Sequence, residues 1–333
     1  MQASTTPPRT AAAIAAPSTT SGNAIPKNRA LLGQLSDMDL RLLRVFKSVA
    51  DCGGMAAAEL ELNIGTSTVS RHVKDLETRL GLVLCRRGRA GFALTAEGQR
   101  VYDETLRLLA SVDAFRSSID DIHSRMGGQI ELAVFDKTAS NPQARIGDAI
   151  ALFRARAPAV ALSMHVASLN TIERGVIDGS FHLGIIPAHR SSQSLDYAPL
   201  FGETMLLYCG RQHPLFGASH RGLTWETLRG HDFAGLGDHS PNMDLSHRKQ
   251  LPRKATAFDQ EAIATLILSG SFLGFLPDHY AESFERRGLM QAVAPARFRY
   301  ECRFVRLTRK SPRPSRATQL LAECLVEAHA AGA

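Results

Sequence analysis

Between Gly65 and Leu80 the apolar residues Val69, Val73, Leu76 and Leu80 recur at steps of four, three and four. On a helix that spacing makes one stripe facing a core. Ser67, Arg71, Lys74 and Thr78 fall half a turn away, with Ser70 on the flank, so the opposite face is polar and positive. Upstream, Ser36 can cap a helix over 37–51 with Leu43, Phe46 and Val49 or Ala50 inward, ended by Cys52, Gly53 and Gly54. A short helix over 55–62 and the turn Asn63-Ile64-Gly65 lead into the amphipathic helix, which makes a helix-turn-helix. Two short strands, 82–85 and 92–94, then flank a basic, glycine-containing tip, the pattern of a wing.

Thr95 can cap the next helix, with Glu97 in its first turn where the dipole favours an anion. Along it Val101, Thr105, Leu108, Val112, Phe115, Ile119, Ile122 and Met126 alternate in steps of four and three up to Gly127. This is the seam of a coiled coil and predicts dimerisation; one helix packed on its own domain is the plainer alternative. Beyond Gly127 strands alternate with helices: strand 129–135, a helix from Asn141 and Pro142 to about Ala157, strand 161–167, helix 169–178, and strand 181–186 ending at Pro187. A second set holds strand 203–209, helix 225–228, strands near Phe233 and over 253–257, helix 260–269, strand 272–276 and helix 277–287. A strand over 303–307 and a helix over 313–330 close the chain. Return of that last strand to the first set would make the chain cross twice between two lobes, with a cleft for a small ligand.

Residues 1–34 are rich in Ala, Ser, Thr and Pro and read as a disordered extension without the apolar centre of a signal peptide. The domain boundaries expected are 1–34 extension, 35–95 winged helix-turn-helix, 96–127 dimerisation helix and 128–333 α/β domain. Within the last, lobe I takes about 128–200 and 302–333, and lobe II about 201–301. Five scattered cysteines without CxxC spacing read as reduced thiols, and no apolar run reaches membrane-spanning length, so the pattern predicts a cytoplasmic protein with no membrane partner.

The net charge of +7 matters mainly through its location. Six Lys or Arg (residues 71, 74, 79, 86, 87 and 89) face two acids, Asp75 and Glu77, on the small helical module, enough to neutralise phosphates. The segment 297–316 carries eight Lys or Arg against Glu301 alone; a solvated edge strand and helix start is the simpler account, a second contact surface the sharper one. Lys137 and Thr138 precede a helix start at Asn141 and form either an anion site or, for Lys137, a loop charge paired with Asp136; that acid leaves an amphoteric or cationic ligand open. His231, Asp232, Asp238, His239, Asp244 and His247 crowd one stretch, but their spacing matches no metal site, and a polar loop is the expectation. The Gly235 to Gly237 GLG reads as a turn. With no GxSxG, HExxH or phosphate-loop motif there are no catalytic, metal or cofactor assignments.

With these pieces laid out, the chain over roughly 35–330 resembles a LysR-type transcriptional regulator. The specific residues are Phe46, the Gly53 to Leu62 segment, Val69-Ser70, Leu76-Glu77, Leu80-Gly81, Leu84, Arg87, Leu94-Thr95 and Gly98, with GFLP at Gly274 to Pro277. Glu59 stands where the motif usually has Ala, Gly54 and Met55 replace Ser-Phe, and a one-residue slip in the turn would account for all three; Cys85 replaces Phe. The resemblance implies a winged helix-turn-helix, a long dimerisation helix and a two-lobed α/β effector-binding domain like type 2 periplasmic binding proteins. It also implies a homodimer or homotetramer on double-stranded promoter DNA with an inverted repeat, a small-molecule effector between the lobes, and RNA polymerase as a further partner. Carried over, Thr66, Ser67, Ser70, Arg71 and Lys74 would face the major groove and Arg87 and Arg89 the backbone or minor groove. The effector would meet Asp136, Lys137, Thr138, Ser168, Asn170, Pro187, Phe233, Gly235 and Phe275. The competing class is a small-molecule-binding or enzymatic α/β protein with an accessory basic module, which would lack a steep salt slope on DNA.

Overall fold

The computed structural model describes residues 35–88, 91–122, 126–237 and 240–330; the extension over 1–34 and Arg89 lie outside them. The described chain forms two compact units that divide between Gln99 and Arg100. In the first, α1 (Asp37–Asp51), α2 (Met55–Leu62) and α3 (Thr66–Leu80) have the bounds that their caps and stripes predict. Ser36 and Asp39 exchange capping bonds at the start of α1. Asn63 takes a left-handed φ of 51° in the turn before α3. Val45, Val49, Met55, Ala58, Val69 and Val73 close one apolar cluster. Ala58 is fully buried in this cluster whereas Glu59 is half-buried at its edge.

The wing strands are β1 (Cys85–Gly88) and β2 (Gly91–Leu94), paired antiparallel from Cys85 opposite Leu94 to Gly88 opposite Gly91. The first strand starts later than the apolar run 82–85 predicts. Leu82 and Val83 are exposed, Leu84 alone is buried, and the Leu84 amide donates to Glu77 Oε1 at 2.8 Å, so this run is a connector tied to α3. Thr95 caps α4 (Ala96–Ile122), its Oγ1 accepting from Gly98 N at 2.8 Å while donating to Val83 O at 2.6 Å.

The second unit is built on one nine-stranded sheet. Its first half contains β3 (Gln129–Val134), α5 (Ile146–Arg156), β4 (Ala161–Val166), α6 (Leu169–Asp178) and β5 (Leu183–Pro187), joined to the second half by the long β6 (Leu195–Gly210). The second half holds α7 (Trp225–Leu228), β7 (Phe233–Leu236), α8 (Pro241–Arg248), β8 (Arg253–Ala257), α9 (Gln260–Leu268), β9 (Leu273–Pro277), α10 (Asp278–Arg286) and β10 (Met290–Ala292). Then β11 (Arg299–Arg309) and α11 (Arg316–Ala330) return to the first half. Strand order is β4-β3-β5-β11-β6-β9-β7-β8, with β10 also on β6. β6 and β11 pair antiparallel from Leu195 opposite Arg309 to Leu206 opposite Arg299, and these two strands carry both crossings between the lobes.

Several elements differ from the expectations. The helix expected at Asn141 begins at Ile146, because Thr138–Ser140 form a 3-10 turn and the Asn141 side chain is drawn to Gly202 O (3.0 Å) and Gln143 N (2.8 Å). β6 starts eight residues before the predicted 203, and β11 is longer at both ends. β11 is central rather than an edge: Cys302, Phe304 and Leu307 are buried between β5 and β6, while Arg299, Glu301 and Arg303 point outward. Gly235 belongs to β7 rather than to a turn, and the stretch read as a polar loop contains α8, capped by Ser240. Asp238 and His239 lie outside the described residues; among those described, no cluster of three metal-ligating side chains occurs.

Candidate nucleic-acid interface and interlobe cleft

On α3 the stripe and the polar face separate as the spacing requires. Val69, Val73 and Leu76 are at most 1% exposed, while Ser67, Arg71, Lys74 and Thr78 are exposed. Neighbouring charges divide into structural and outward-facing sets. Arg79 grips the buried Asp39 with Nε and Nη2, at 2.5 and 2.9 Å, and Ser36 adds bonds to the same carboxylate. These bonds hold the Asp39 carboxyl down at about 2. Glu77 is spent on the wing connector and the Thr66 hydroxyl on Glu59. Arg71, Lys74 and Arg86 therefore remain exposed as the basic set of this module, and Arg87 sits on β1 opposite Phe92. A polar helix face with two cations and small hydroxyls suits base edges and phosphates in a major groove.

In the second unit, the carboxyl end of β3 meets the amino-terminal ends of α9 and α10 across the two lobes. Asp136 Oδ2 accepts from Gln260 N at 2.7 Å, while Oδ1 is enclosed with no protein hydrogen-bond partner. Burial raises this carboxyl to about 6, with the charge of Asp259 adding to the effect against the Gln260 amide bond. Lys137 reaches across to Glu261 and lies over the Tyr280 ring at 4.6 Å; Tyr280 in turn donates to Glu261 at 2.7 Å. Ser140 meets His279 Nδ1 at 2.9 Å, and His279 Nε2 meets the buried Glu203 at 3.1 Å, where burial pushes the carboxyl pKa up. Gln260, 3% exposed, has an unpartnered Oε1.

The structure thus brings Asp136, Lys137 and Thr138 together at the cleft, and the lysine is neither a free anion anchor nor paired with Asp136, because Glu261 takes it. Ser168 precedes the first turn of α6, its hydroxyl 3.1 Å from that of Thr171, Asn170 lies on a surface pocket with Arg107 and Arg190, and Pro187 pairs with Phe304 in the sheet. Phe233 and Phe275 are 1% and 0% exposed, with their ring centroids 6.0 Å apart, and pack in the core of lobe II. Gly235 is buried beside Arg253 and Asn242. Gln260, Glu261, His279 and Glu203 were missed; the sequence signal for two of them was Asp259, an N-cap ahead of an apolar helix that places their backbone at a helix start.

Comparison with known proteins agrees with this geometry. Residues 40–99 match the family described as bacterial regulatory helix-turn-helix protein, lysR family, and residues 123–330 match the LysR substrate binding domain. The HTH-type transcriptional activator BauR of Pseudomonas aeruginosa is 38% identical over 284 residues, 85% of this chain and 93% of that protein. Among solved structures, CbnR, a LysR family transcriptional regulator, superposes with a TM-score of 0.59 at 18% identity over 87% of this chain and 99% of its own. CbnR complexed with its target DNA gives 0.57 at 20% identity, with the same coverage of each chain.

Proposed function

Because the chain belongs to the LysR family of DNA-binding transcriptional regulators, and is a regulator rather than an enzyme, we propose how its parts divide the work. A two-fold assembly sets paired α3 helices into the major grooves of a promoter inverted repeat. A small molecule held between the lobes changes how those helices are presented. The observation that carries the DNA half is the α3 face, with Val69 and Val73 in the core and Arg71 and Lys74 exposed. On this reading Ser67, Ser70, Arg71 and Lys74 meet bases and phosphates, Thr66 anchors the helix start through Glu59, and Arg87 and Arg89 meet the flanking backbone or minor groove.

Self-association is supported by apolar side chains left at the surface of the second unit. Phe115 and Ile119 on α4 are 67% and 39% exposed, and Met164 and Val166 on the edge strand β4 are 50% and 67% exposed. Two separate apolar surfaces suit a homodimer that pairs into a homotetramer. The name of BauR supports activation, with RNA polymerase as the partner that an activator engages.

For the effector, Asp136, Thr138 and the amino-terminal end of α9 form the ligand-facing set, with Lys137, Ser168, Asn170, Pro187 and Gly235 in supporting positions around the lobes. The enclosed Asp136 Oδ1 and Gln260 Oε1 are both acceptors, so the complementary ligand group is a hydrogen-bond donor such as an amine or hydroxyl. Fluorescence anisotropy on a duplex from the promoter of the protein's own gene, titrated with salt, tests the DNA half. Arg71→Ala should lose about 1–3 kcal/mol of specific binding. Unchanged affinity and footprint would remove α3 from the interface.

A further inference from the structure

We propose that lobe I carries a second ligand site, separate from the interlobe cleft, for a small organic anion that joins a carboxylate to an aromatic or alkyl body. The site is a cavity of about 520 Å³ where α4, the α6–β5 connection, the end of β11 and the start of α11 meet. It does not depend on the effector reading of the cleft. Among the described residues lining it there is no Asp or Glu, while Arg309 and Arg313 both open onto it.

Arg309 is the central observation. Its side chain is half-buried, burial lowers its pKa, and the opposing charge acting on it among the described residues is Asp178. That carboxylate already accepts from Ser180 N at 2.9 Å and Ser180 Oγ at 2.7 Å. No hydrogen bond holds the Arg309 guanidinium among the described residues, although it has five donors in a planar fork. It lies against the backbone of Gly179, where a Cβ would come within 2.8 Å of Nη1, so the glycine seats the guanidinium in the cavity wall. A desolvated, unpaired guanidinium is costly unless an anion completes it, and a carboxylate matches its fork.

The surroundings supply the rest of a receptor. Among the described residues Arg313 bonds only the neutral Gln319 Oε1, at 3.3 Å, and no carboxylate pairs with it. His182 accepts from Glu131 N through Nδ1 at 2.9 Å, which leaves the ring proton on Nε2, and burial keeps the ring neutral. The first turn of α11, with Ser315 capping Thr318 N at 3.3 Å, adds the positive end of a helix dipole. Phe181 and Pro312 make the apolar wall that a bare inorganic anion would not use. Since α4 supplies part of the wall, a bound ligand braces that helix against lobe I and gives the regulator a second input.

The test uses the full chain and phenylacetate as probe, with phenylacetamide as its uncharged isostere and inorganic phosphate as a bare anion. Calorimetry should show saturable phenylacetate binding with little or none for the other two. Arg309→Met should weaken it by about 10-fold or more. Arg313→Gln, at a more exposed position, should weaken it by about 3-fold or more and keeps the test open if Arg309→Met fails to fold. Asp136→Asn should leave phenylacetate binding unchanged; loss of binding in that variant would place the probe in the cleft and overturn a separate site. No binding by the wild type, equal binding of amide and acid, equal binding of phosphate, or undiminished binding by both arginine variants would overturn it as well.

Discussion

Gly98→Ala isolates the contact that joins the start of α4 to the wing. On helix propensity alone the change should stabilise, by about 1 kcal/mol, because alanine is the better residue inside a helix. The structure reverses that sign. A Cβ on Gly98 would stand 1.9 Å from Leu84 O and 2.8 Å from Leu84 C, both backbone atoms that no rotamer can move. Leu84 O also accepts from Thr95 N at 3.0 Å, and the Leu84 side chain is fully buried. Making room by roughly 1 Å therefore breaks the Thr95 bond and shifts a core leucine, together costing about 3–5 kcal/mol against the propensity gain, for a net loss of about 2–4 kcal/mol. The chain contains a single tryptophan, Trp225, which lies in the second unit, so its fluorescence reports that unit while far-ultraviolet circular dichroism reports both. In a urea titration Gly98→Ala should move the dichroism component of the first unit to lower urea by about 2 M and leave the Trp225 transition in place. A first-unit midpoint that is unchanged or higher would refute the reasoning.

Arg79→Met strips the charged partner from the enclosed Asp39 and should destabilise the first unit by about 2–4 kcal/mol at neutral pH. Because the Asp39 carboxyl lies near 2 instead of its ordinary 3.8, the wild-type stabilisation is complete above pH 3.8 and is lost as pH falls toward 2; acid titration of the variant should show a flatter profile. Asp136 has the opposite sign: its carboxyl is raised from 3.8 to about 6, so the stability it contributes is full below 3.8 and lost as pH rises through 6. Asp136→Asn keeps an acceptor for Gln260 N, and should raise the Trp225 unfolding midpoint at pH 7 while abolishing the response to an effector; a lower midpoint counts against the assignment. Charged residues at Val112 and Phe115 together should give monomers in analytical ultracentrifugation, and persistent dimers would reject the α4 seam.

What the sequence made legible follows from how local the determinants are. Ser36 with Asp39, the Asn63 turn and the four-three spacing of α3 act within one or two turns, and α1 to α3 appear with the predicted bounds. β6 was legible only in its second half, because Pro199 and Gly202 interrupt the first, and pairing with β11 overrides that local signal. The basic run at 297–316 was visible as charge, but whether it sat at an edge or between β5 and β6 is fixed by partners over 100 residues away; Arg306 Nη1, for example, pairs with Asp196 at a separation of 110. The apolar stripe and polar face of α3 therefore appear as the spacing predicts, whereas the contacts that join the two lobes do not show in the local pattern. Gln260 and Glu261 are marked in the local pattern only as a helix start behind Asp259, and their partners Asp136 and Lys137 lie 124 residues away.

The same tertiary contacts bear on how a ligand could act. Apart from the continuous strands β6 and β11, the lobes are held near the cleft by polar contacts: Asp136 with Gln260 N, Lys137 with Glu261, Ser140 with His279, and Asn141 with Gly202. Exposed pairs of this kind are worth about 0–1 kcal/mol each, and neutral hydrogen bonds about 0.5–1.5 kcal/mol. Ionised Asp136 works against closure, because one oxygen is desolvated and unpaired. On the proposed function, an arrangement with these contacts broken would lie only about a few kcal/mol away, within the range that the differential binding of one small ligand can shift. On the proposed function a donor group on Asp136 Oδ1 would act directly on this balance, because it would give a bond to an enclosed, unpartnered oxygen.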